Sequence, residues 1–417
     1  MIRSIFSLIL ASFLLAGAPA FATATTPEQD DVASEKSELR APVTILISID
    51  GFRPDYLERG ITPHLSALAS AGIYGPMRPS FPSKTFPNHW TLVTGKTPDH
   101  HGIVGNTMED AARPGEVFKM ATKDPFWWNQ AEPIWITAEK QGIRTATMFW
   151  PGSEVDFNSL RPADWWPFNQ NLSNDRRINA VVDWMRRPAN IRPKLVTLYF
   201  DTVDMAGHYH GPAPSEKLHA AITEVDSEIG RLKQQLDSLG QPVNFVIASD
   251  HGMTETSPER IIQLDRIMAR DQYHLVEDGN YAGFEPIDGN IDALRAAFVR
   301  PHEHMQCWDR DNIPEHFAYG KNPRVPSILC LPDIGWVVYQ DVPEWMTGIG
   351  GGHGYDHRDP DMMAFFLASG PAVVKGSQLP AFDNVDIYSL VARLAGIVPQ
   401  PSDGDLTPFE PSLRPSR

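Results

Sequence analysis

Two kinds of hydrophobic pattern recur along the 417-residue chain. Continuous apolar runs, typical of strands buried on both faces of a parallel sheet, occupy Val43–Ile49, Leu195–Phe200 and Val243–Ala248. Apolar residues at helical spacing fill residues 215–240, between a serine suited to cap a helix and a glycine suited to end it. This order of strand, loop, helix and strand predicts a right-handed parallel crossover between neighbouring strands.

Weaker forms of the same patterns complete the outline of the chain. Helices are expected at Pro63–Ala71, 86–94, 133–140, 175–186 and Asp386–Ala395, and strands at 145–149 and 362–368. Residues 151–171 are rich in Trp, Phe, Pro and Asn and indicate an ordered aromatic loop. Residues 262–343 have little period and indicate an irregular insertion or cap. Alternating strands and helices predict an α/β fold built on a parallel sheet.

Polar residues follow three of the predicted strands at the point where each strand ends. Asp50 follows the first run, Asp204 follows the second after a short loop, and Asp250 and His251 follow the third. In open α/β sheets, ligands collect beyond the carboxyl ends of the strands. We therefore expect these side chains at one edge of the sheet.

Seven residues in short stretches rich in glycine or proline form one candidate metal site. They are Asp50, Thr85, Asp204, His208, Asp250, His251 and His353. Taken singly, each has an ordinary explanation, such as a turn or helix cap for Asp50 and a flexible loop for His353. Taken together, three carboxylates, three imidazoles and a hydroxyl are the inventory for two zinc ions beside a nucleophile. Thr85 also precedes a predicted helix N-terminus, whose free N–H groups can bind an anion.

The motifs that carry these residues resemble those of the nucleotide pyrophosphatase/phosphodiesterase family, within the alkaline phosphatase superfamily. The matching stretches are Asp50-Gly51-Phe52-Arg53, Lys84-Thr85-Phe86-Pro87-Asn88-His89, Asp204 with Gly207-His208, Asp250-His251-Gly252-Met253 and Gly352-His353-Gly354-Tyr355-Asp356. The likeness extends from about Val43 to about Leu394. It implies an alkaline-phosphatase-like, doubly wound, mostly parallel central sheet flanked by helices, with a smaller inserted cap region. It also implies a secreted bacterial member of the family.

This resemblance gives the candidate residues distinct roles. Asp204, His208 and His353 would hold one zinc ion, and Asp50, Asp250, His251 and the Thr85 oxygen would hold the other. Thr85 would be the nucleophile and would form a covalent phosphoryl ester that is then hydrolysed. Asn106 and the backbone N–H of Phe86 would steady a phosphoryl oxygen. One departure from the family pattern is Asp201-Thr202-Val203-Asp204, where Glu-Glu-Pro-Asp is usual.

Aromatic residues near the same motifs are candidates for substrate binding. Phe86 and Phe168 could sandwich a nucleobase, and Tyr199 could shape the same pocket. Packing among Trp165 and Trp166 is an open alternative for Phe168, and a core position is one for Tyr199. The implied function is a zinc-dependent phosphodiesterase and nucleotide pyrophosphatase that releases nucleoside monophosphates. The alternatives are a choline or glycerophospholipid-headgroup phosphodiesterase, a phosphate monoesterase and an inactive interaction module.

The net charge limits the kinds of partner that we expect, and the N-terminal sequence indicates the compartment. A formal net charge of −16 argues against a nucleic-acid clamp, which needs a basic surface. Bound cations can still let an acidic protein accept a small anionic nucleotide or phosphodiester. Residues 1–22 match a cleaved secretory signal, so we expect a secreted or periplasmic protein without a later membrane span, acting as a monomer.

The expected domain organisation follows from these segments. Residues 23–40 are a polar lead-in, residues 41–400 form the catalytic domain with the insertion at 262–343, and residues 401–417 are a C-terminal tail. Cys307 and Cys330 are the two cysteines, and in an exported chain they could form a disulfide or remain as two thiols.

Overall fold

A nine-stranded sheet organises the structure, a computed structural model that describes residues 40–344 and 346–415. The strands of the described residues are β1 Val43–Ile49, β2 Ile73–Arg78, β3 Met108–Glu109, β4 Val117–Phe118, β5 Thr145–Met148, β6 Asp164–Trp166, β7 Leu195–Phe200, β8 Val243–Ala248, β9 Thr254–Thr256, β10 Ile261–Gln263, β11 Tyr273–Glu277, β12 Ala282–Pro286, β13 Met305–Asp309, β14 Ile328–Pro332, β15 Val337–Tyr339, β16 Gly350–Gly352, β17 Ala364–Ser369, β18 Ser377–Gln378 and β19 Phe382–Asp383. The α-helices of the same residues are α1 Pro63–Ala71, α2 Thr85–Thr94, α3 Pro98–His101, α4 Pro125–Trp128, α5 Ile134–Lys140, α6 Asn174–Met185, α7 Thr202–His210, α8 Glu216–Ser238, α9 Ile291–Phe298 and α10 Asp386–Ala395.

The central sheet is mostly parallel. Its order is β18-β2-β17-β8-β1-β7-β5-β6, and β19 also pairs with β2. The strands from β8 to β6 run parallel to one another, whereas β17 is antiparallel to both of its neighbours, β8 and β2. This arrangement confirms the predicted α/β class with a mostly parallel central sheet.

The strand order corrects one expectation from the sequence. β7 and β8 were predicted to be neighbours, but β1 lies between them and pairs with both. All seven residues of β1 are buried, as befits a strand in the middle of the sheet. Spacing along the chain indicates that two strands are joined by a helix, but it does not show which other strand lies between them.

Helices cover both faces of the sheet and form two hydrophobic cores. Ile45, Ile47 and Ile49 pack in the core that includes α1, α6 and α8. Leu46 packs in the other core, with α2, α5 and α10. Side chains alternate along a strand, so Asp50 continues the face of Leu46. The strand therefore directs its terminal carboxylate to the side on which α2 lies.

The segment 262–343 contains regular structure of its own. Strands β11, β12, β14 and β13 form a four-stranded antiparallel sheet, and α9 packs against it in a separate hydrophobic core. Cys307 and Cys330 lie opposite each other on β13 and β14 and are joined by a disulfide. The aromatic stretch 151–171 includes β6, which pairs with β5 at the edge of the central sheet.

The N-terminal predictions concern residues that the structure does not describe. The expected signal peptide at 1–22 and nearly all of the lead-in at 23–40 lie outside the described residues. From Arg40 onward the described residues cluster into one compact unit. None of the helices in this described part is long and apolar enough to cross a membrane.

Candidate active site

Thr85 is the first residue of α2 and is buried. The residue before it, Lys84, has an extended backbone, so the chain turns into the helix at Thr85 itself, one residue earlier than predicted. The threonine hydroxyl oxygen lies 3.4 Å from His251 Nε2. A hydroxyl is thereby placed at a helix N-terminus, where backbone N–H groups are available to an anion.

Asp50, Asp250 and His251 come together beyond the ends of β1 and β8. His251 Nε2 lies 2.9 Å from Asp250 Oδ2 and 3.4 Å from Asp50 Oδ1. The second oxygen of Asp50 accepts a hydrogen bond of 2.6 Å from the Tyr199 hydroxyl. The backbone N–H of Gly51 donates to Asp250 Oδ1 at 3.2 Å. Each aspartate is thus held by one oxygen and presents the other towards the histidine.

Asp204, His208 and His353 form the adjoining group. Asp204 and His208 are one turn apart on α7, and His208 Nε2 lies 3.4 Å from Asp204 Oδ2. His353 follows β16, and its Nε2 lies 3.6 Å from Asp204 Oδ1 and 3.2 Å from His208 Nε2. The rings of His353 and His251 are stacked with their centroids 3.5 Å apart, so the two groups form one continuous cluster.

The hydrogen bonds of the three imidazoles orient their lone pairs. The Nδ1 atoms of His208, His251 and His353 lie 2.9 Å from the backbone oxygens of Gly351, Gly252 and Ser83 respectively. A carbonyl oxygen only accepts, so each Nδ1 carries a hydrogen, and Nε2 is the nitrogen that each ring can offer to a cation. These Nε2 atoms face one another and the carboxylates, an arrangement that a bound cation would stabilise.

The three carboxylates of the cluster would also be stabilised by a bound cation. Asp50 Oδ1, Asp204 Oδ1 and Asp250 Oδ2 are buried without a hydrogen-bond partner. Burial raises the pKa of Asp50, and the carboxylates of Asp250 and Asp204 raise it further. Burial, together with His251 and His208, holds the pKa of His353 well below its usual value, which keeps this ring in the neutral form that binds metals. The cluster therefore fits metal ions chemically.

By distance alone, two sets of ligand atoms could each hold an ion. Asp204, His251 and His353 form one set, and Asp50, His89 and Asp250 form the other. The resemblance divides the residues differently, since it pairs His251 with Asp50 and His208 with Asp204. Because His251 contacts both Asp50 and Asp250, and His208 contacts Asp204, the geometry accommodates that division as well.

Two residues of the motif at 84–89 that were given no role from the sequence also belong to this region. His89, one helical turn after Thr85, lies 3.3 Å from Asp250 Oδ2. Lys84 lines the cavity beside Thr85, and its Nζ lies 3.4 Å from Asn280 Oδ1. Burial lowers the pKa of Lys84, against the opposing charges of Glu277 and Asp204. His89 could have been found from its spacing of four residues after Thr85, which puts both on one helix face.

A cavity of about 760 Å³ opens over the cluster. Phe86, Asn106 and Phe168 line it together with Thr85 and Tyr199. The Asn106 side-chain oxygen accepts from the backbone N–H of Phe86 at 3.0 Å, so the two groups expected to hold a phosphoryl oxygen are adjacent.

The aromatic candidates differ in their packing. The Phe86 ring packs on Phe118 and Trp128, with centroids 6.1 and 6.0 Å away. Phe168 is 47% exposed, and its ring lies 5.6 Å from Phe149. Tyr199 is buried and its hydroxyl binds Asp50, so its polar end contacts the acidic cluster. Phe86 and Phe168 therefore form aromatic walls of the cavity.

Known proteins share both this sequence and this fold. A model of the family described as type I phosphodiesterase / nucleotide pyrophosphatase matches residues 44–356. A bis(5′-adenosyl)-triphosphatase of Xenopus laevis is 36% identical over 372 residues, which cover 88% of this chain and 80% of that protein. Human ectonucleotide pyrophosphatase/phosphodiesterase family member 5 is 33% identical over 407 residues, covering 95% of this chain and 81% of that protein.

A solved structure extends the likeness to three dimensions. Murine ectonucleotide pyrophosphatase/phosphodiesterase 5, in an inactive threonine-to-alanine form in complex with AMP, aligns with a TM-score of 0.85 and 32% identity. The alignment covers 90% of this chain and 100% of that one. These three relatives are animal proteins, so the expected bacterial origin remains a prediction.

Proposed function

Because the chain belongs to the type I phosphodiesterase / nucleotide pyrophosphatase family, we propose that it is a zinc-dependent hydrolase of nucleotide phosphodiester and phosphoanhydride bonds. The observation that carries this proposal is the position of Thr85. Its hydroxyl lies at a helix N-terminus, within 3.4 Å of an imidazole in a cluster of six carboxylate and histidine side chains. A nucleophile and the ligands for two metal ions are thus adjacent.

The ligand set would hold two zinc ions. Asp204, His208 and His353 would bind one, and Asp50, Asp250, His251 and the Thr85 oxygen would bind the other. When bound, the ions would supply the positive charge that favours a threonine alkoxide and balances the charge on the phosphoryl oxygens. The three aspartates carry partnerless buried oxygens that such ions would satisfy.

Thr85 would carry the covalent chemistry by double displacement. Its oxygen gives up a proton to cavity water and forms a bond to phosphorus, while the bond from phosphorus to the leaving oxygen breaks. Water then cleaves the Thr85 ester, releases a nucleoside monophosphate and regenerates the hydroxyl. Two displacements return phosphorus to its original configuration. The Phe86 N–H and the Asn106 amide N–H group, which are adjacent, would donate hydrogen bonds to a non-bridging phosphoryl oxygen.

A substrate panel tests the reaction class. We expect kcat/KM for the p-nitrophenyl ester of thymidine 5′-monophosphate to exceed that for p-nitrophenyl phosphate by at least about tenfold. The reason is charge: among the described residues that line the cavity, the only lysines or arginines are Lys84 and Lys123, and Lys123 pairs with Glu154. A monoester, with its additional negative charge, therefore finds few cations beside Thr85.

The same panel decides between the proposed function and its alternatives. Faster release of p-nitrophenol from the monoester would contradict the diesterase proposal. Glycerophosphocholine represents the headgroup alternative, in which the aromatic walls would hold a quaternary ammonium group by cation–π contact. Preference for that substrate over the nucleotide ester would replace the nucleotide assignment. No hydrolysis of any of them would support the inactive module.

Replacing Phe168 by alanine tests the proposed nucleobase site. We expect kcat/KM for the thymidine ester to fall about tenfold, since stacking of a base contributes about 1–3 kcal/mol. For methyl p-nitrophenyl phosphate, a diester without a base, we expect kcat/KM to change less than about twofold. Trp166→Ala is a matched control, because Trp166 is 45% exposed and lies two residues away but does not line the cavity. If Phe168→Ala lowered kcat/KM equally for both diesters, Phe168 would have a role in packing and not in binding the base.

Export and assembly state remain predictions from the sequence. We propose a protein secreted to the periplasm or the medium, with a signal at residues 1–22, that acts as a monomer on small nucleotides. The N-terminal sequence of the mature protein and its mass in solution test these two points.

A further inference from the structure

His89 contacts three elements that build the proposed site. Its Nδ1 lies 2.8 Å from the backbone oxygen of Thr85 and 3.3 Å from Asp250 Oδ2. Its Nε2 lies 2.7 Å from the hydroxyl of Ser48, which precedes Asp50 by two residues and shares its face of β1. The side chain is fully buried.

The partners of His89 fix which nitrogen carries the hydrogen. The Thr85 carbonyl oxygen only accepts, so Nδ1 is the donor, and Asp250 Oδ2 lies 3.3 Å from that same nitrogen. Nε2 then accepts from the Ser48 hydroxyl. Both nitrogens are therefore engaged, and neither keeps a lone pair for a metal ion. His89 thus differs from His208, His251 and His353, whose Nε2 atoms face the carboxylates.

We propose that His89 is a positioning residue that ties the nucleophile to the metal ligand Asp250. The imidazole Nδ1 donates to the backbone of Thr85 and lies in contact with the carboxylate of Asp250, so the ring sets the distance from the threonine oxygen to the ion that Asp250 would bind. This inference rests on the proposed function. It adds a residue to which the resemblance gave no role.

The packing around the imidazole reinforces this link. The His89 ring meets Tyr199 edge-on, with centroids 5.0 Å apart, and Tyr199 donates to the other carboxylate, Asp50. Trp150 lies on another side at 5.2 Å, and its indole N–H donates to the His89 backbone oxygen at 3.2 Å. The ring cannot shift without displacing these neighbours. Both aspartates proposed to share one ion are therefore connected to His89.

A pair of substitutions distinguishes the roles of the two ring nitrogens of His89. In His89→Asn the amide nitrogen takes the place of Nδ1, whereas in His89→Gln it takes the place of Nε2. We expect His89→Gln to lower kcat on the thymidine ester about 10- to 100-fold, with KM within about twofold. Competition with a chelator is expected to show about tenfold weaker binding of one zinc ion in that variant. His89→Asn is expected to recover most of both quantities.

A second buried histidine controls for loss of packing. His101 is equally buried, and its Nε2 contacts Thr91 and the Pro87 carbonyl, away from the cavity. We expect His101→Gln to lower the unfolding temperature but to leave kcat and zinc affinity unchanged. If His89→Gln behaved in the same way, or if His89→Asn lost as much as His89→Gln, the positioning role would be overturned.

The zinc measurement keeps this inference separable from the proposed function. If the unmodified protein cleaved no diester, the proposed function would fail. The chelator competition would still show whether His89→Gln weakens one zinc site and His89→Asn does not. Unchanged zinc affinity in His89→Gln would overturn the inference even in an active enzyme.

Discussion

Thr85→Ala is expected to lower kcat on the thymidine ester by at least about 10³-fold, to the background rate. The substitution removes the hydroxyl oxygen that this helix N-terminus places 3.4 Å from His251 Nε2. The covalent ester then cannot form, whereas the remaining ligands keep their side chains. We therefore expect the variant to fold normally and to retain zinc, with one ion bound more weakly. Steady-state kinetics and metal analysis of the same preparation measure both quantities.

Two further threonine variants sharpen this test. Thr85→Ser keeps a hydroxyl and is expected to recover part of the activity. Thr94→Ala removes a buried hydroxyl from the last turn of the same helix, where it donates to the Trp90 carbonyl and does not line the cavity. That control is expected to affect stability but not kcat. Full activity in Thr85→Ala would exclude Thr85 as the nucleophile.

Strands buried on both faces were the part of the fold most readable from the sequence. β1, β7 and β8 have the predicted bounds, because every residue in them is buried and the apolar run is unbroken. β2 escaped detection since it contains Gly75 and Pro76 and is only half buried. Strand order and direction depend on contacts between distant segments, so neither the place of β1 nor the antiparallel course of β17 could be predicted.

Part of the candidate site could be predicted from the sequence for a related reason. Residues that follow parallel strands meet at one sheet edge, so their place after three apolar runs predicts that Asp50, Asp204 and Asp250 lie together. Contacts between buried side chains from distant segments of the chain could not be predicted from the sequence. Lys84 reaches Asn280 past Gly354, where a Cβ would lie 2.7 Å from the Lys84 side chain. No local pattern reports such a close approach between segments far apart in the sequence.

Removal of metal ions is expected to abolish activity and to lower the unfolding temperature, and zinc is expected to restore both. Without cations, each of the three aspartates keeps one buried oxygen without a partner, and burial and mutual repulsion raise the pKa of Asp50. Ions that bind only the folded state add stability, by about 2.7 kcal/mol for each site when free zinc is at 100 times its dissociation constant. Thermal unfolding with and without chelator measures this change, and metal analysis is expected to find two zinc ions per chain.

A pair of aspartate variants assigns this stabilisation to the cluster. Asp250→Asn is expected to lose one zinc ion and much of the response to chelator, because it removes a ligand charge. Asp226 is an equally buried aspartate, but its two oxygens accept the backbone N–H groups of His64 and Leu65 at the start of α1. Asp226→Asn is therefore expected to lower stability equally with and without chelator while still binding two ions. An unfolding temperature that chelator leaves unchanged, or a single ion per chain, would contradict the two-metal site.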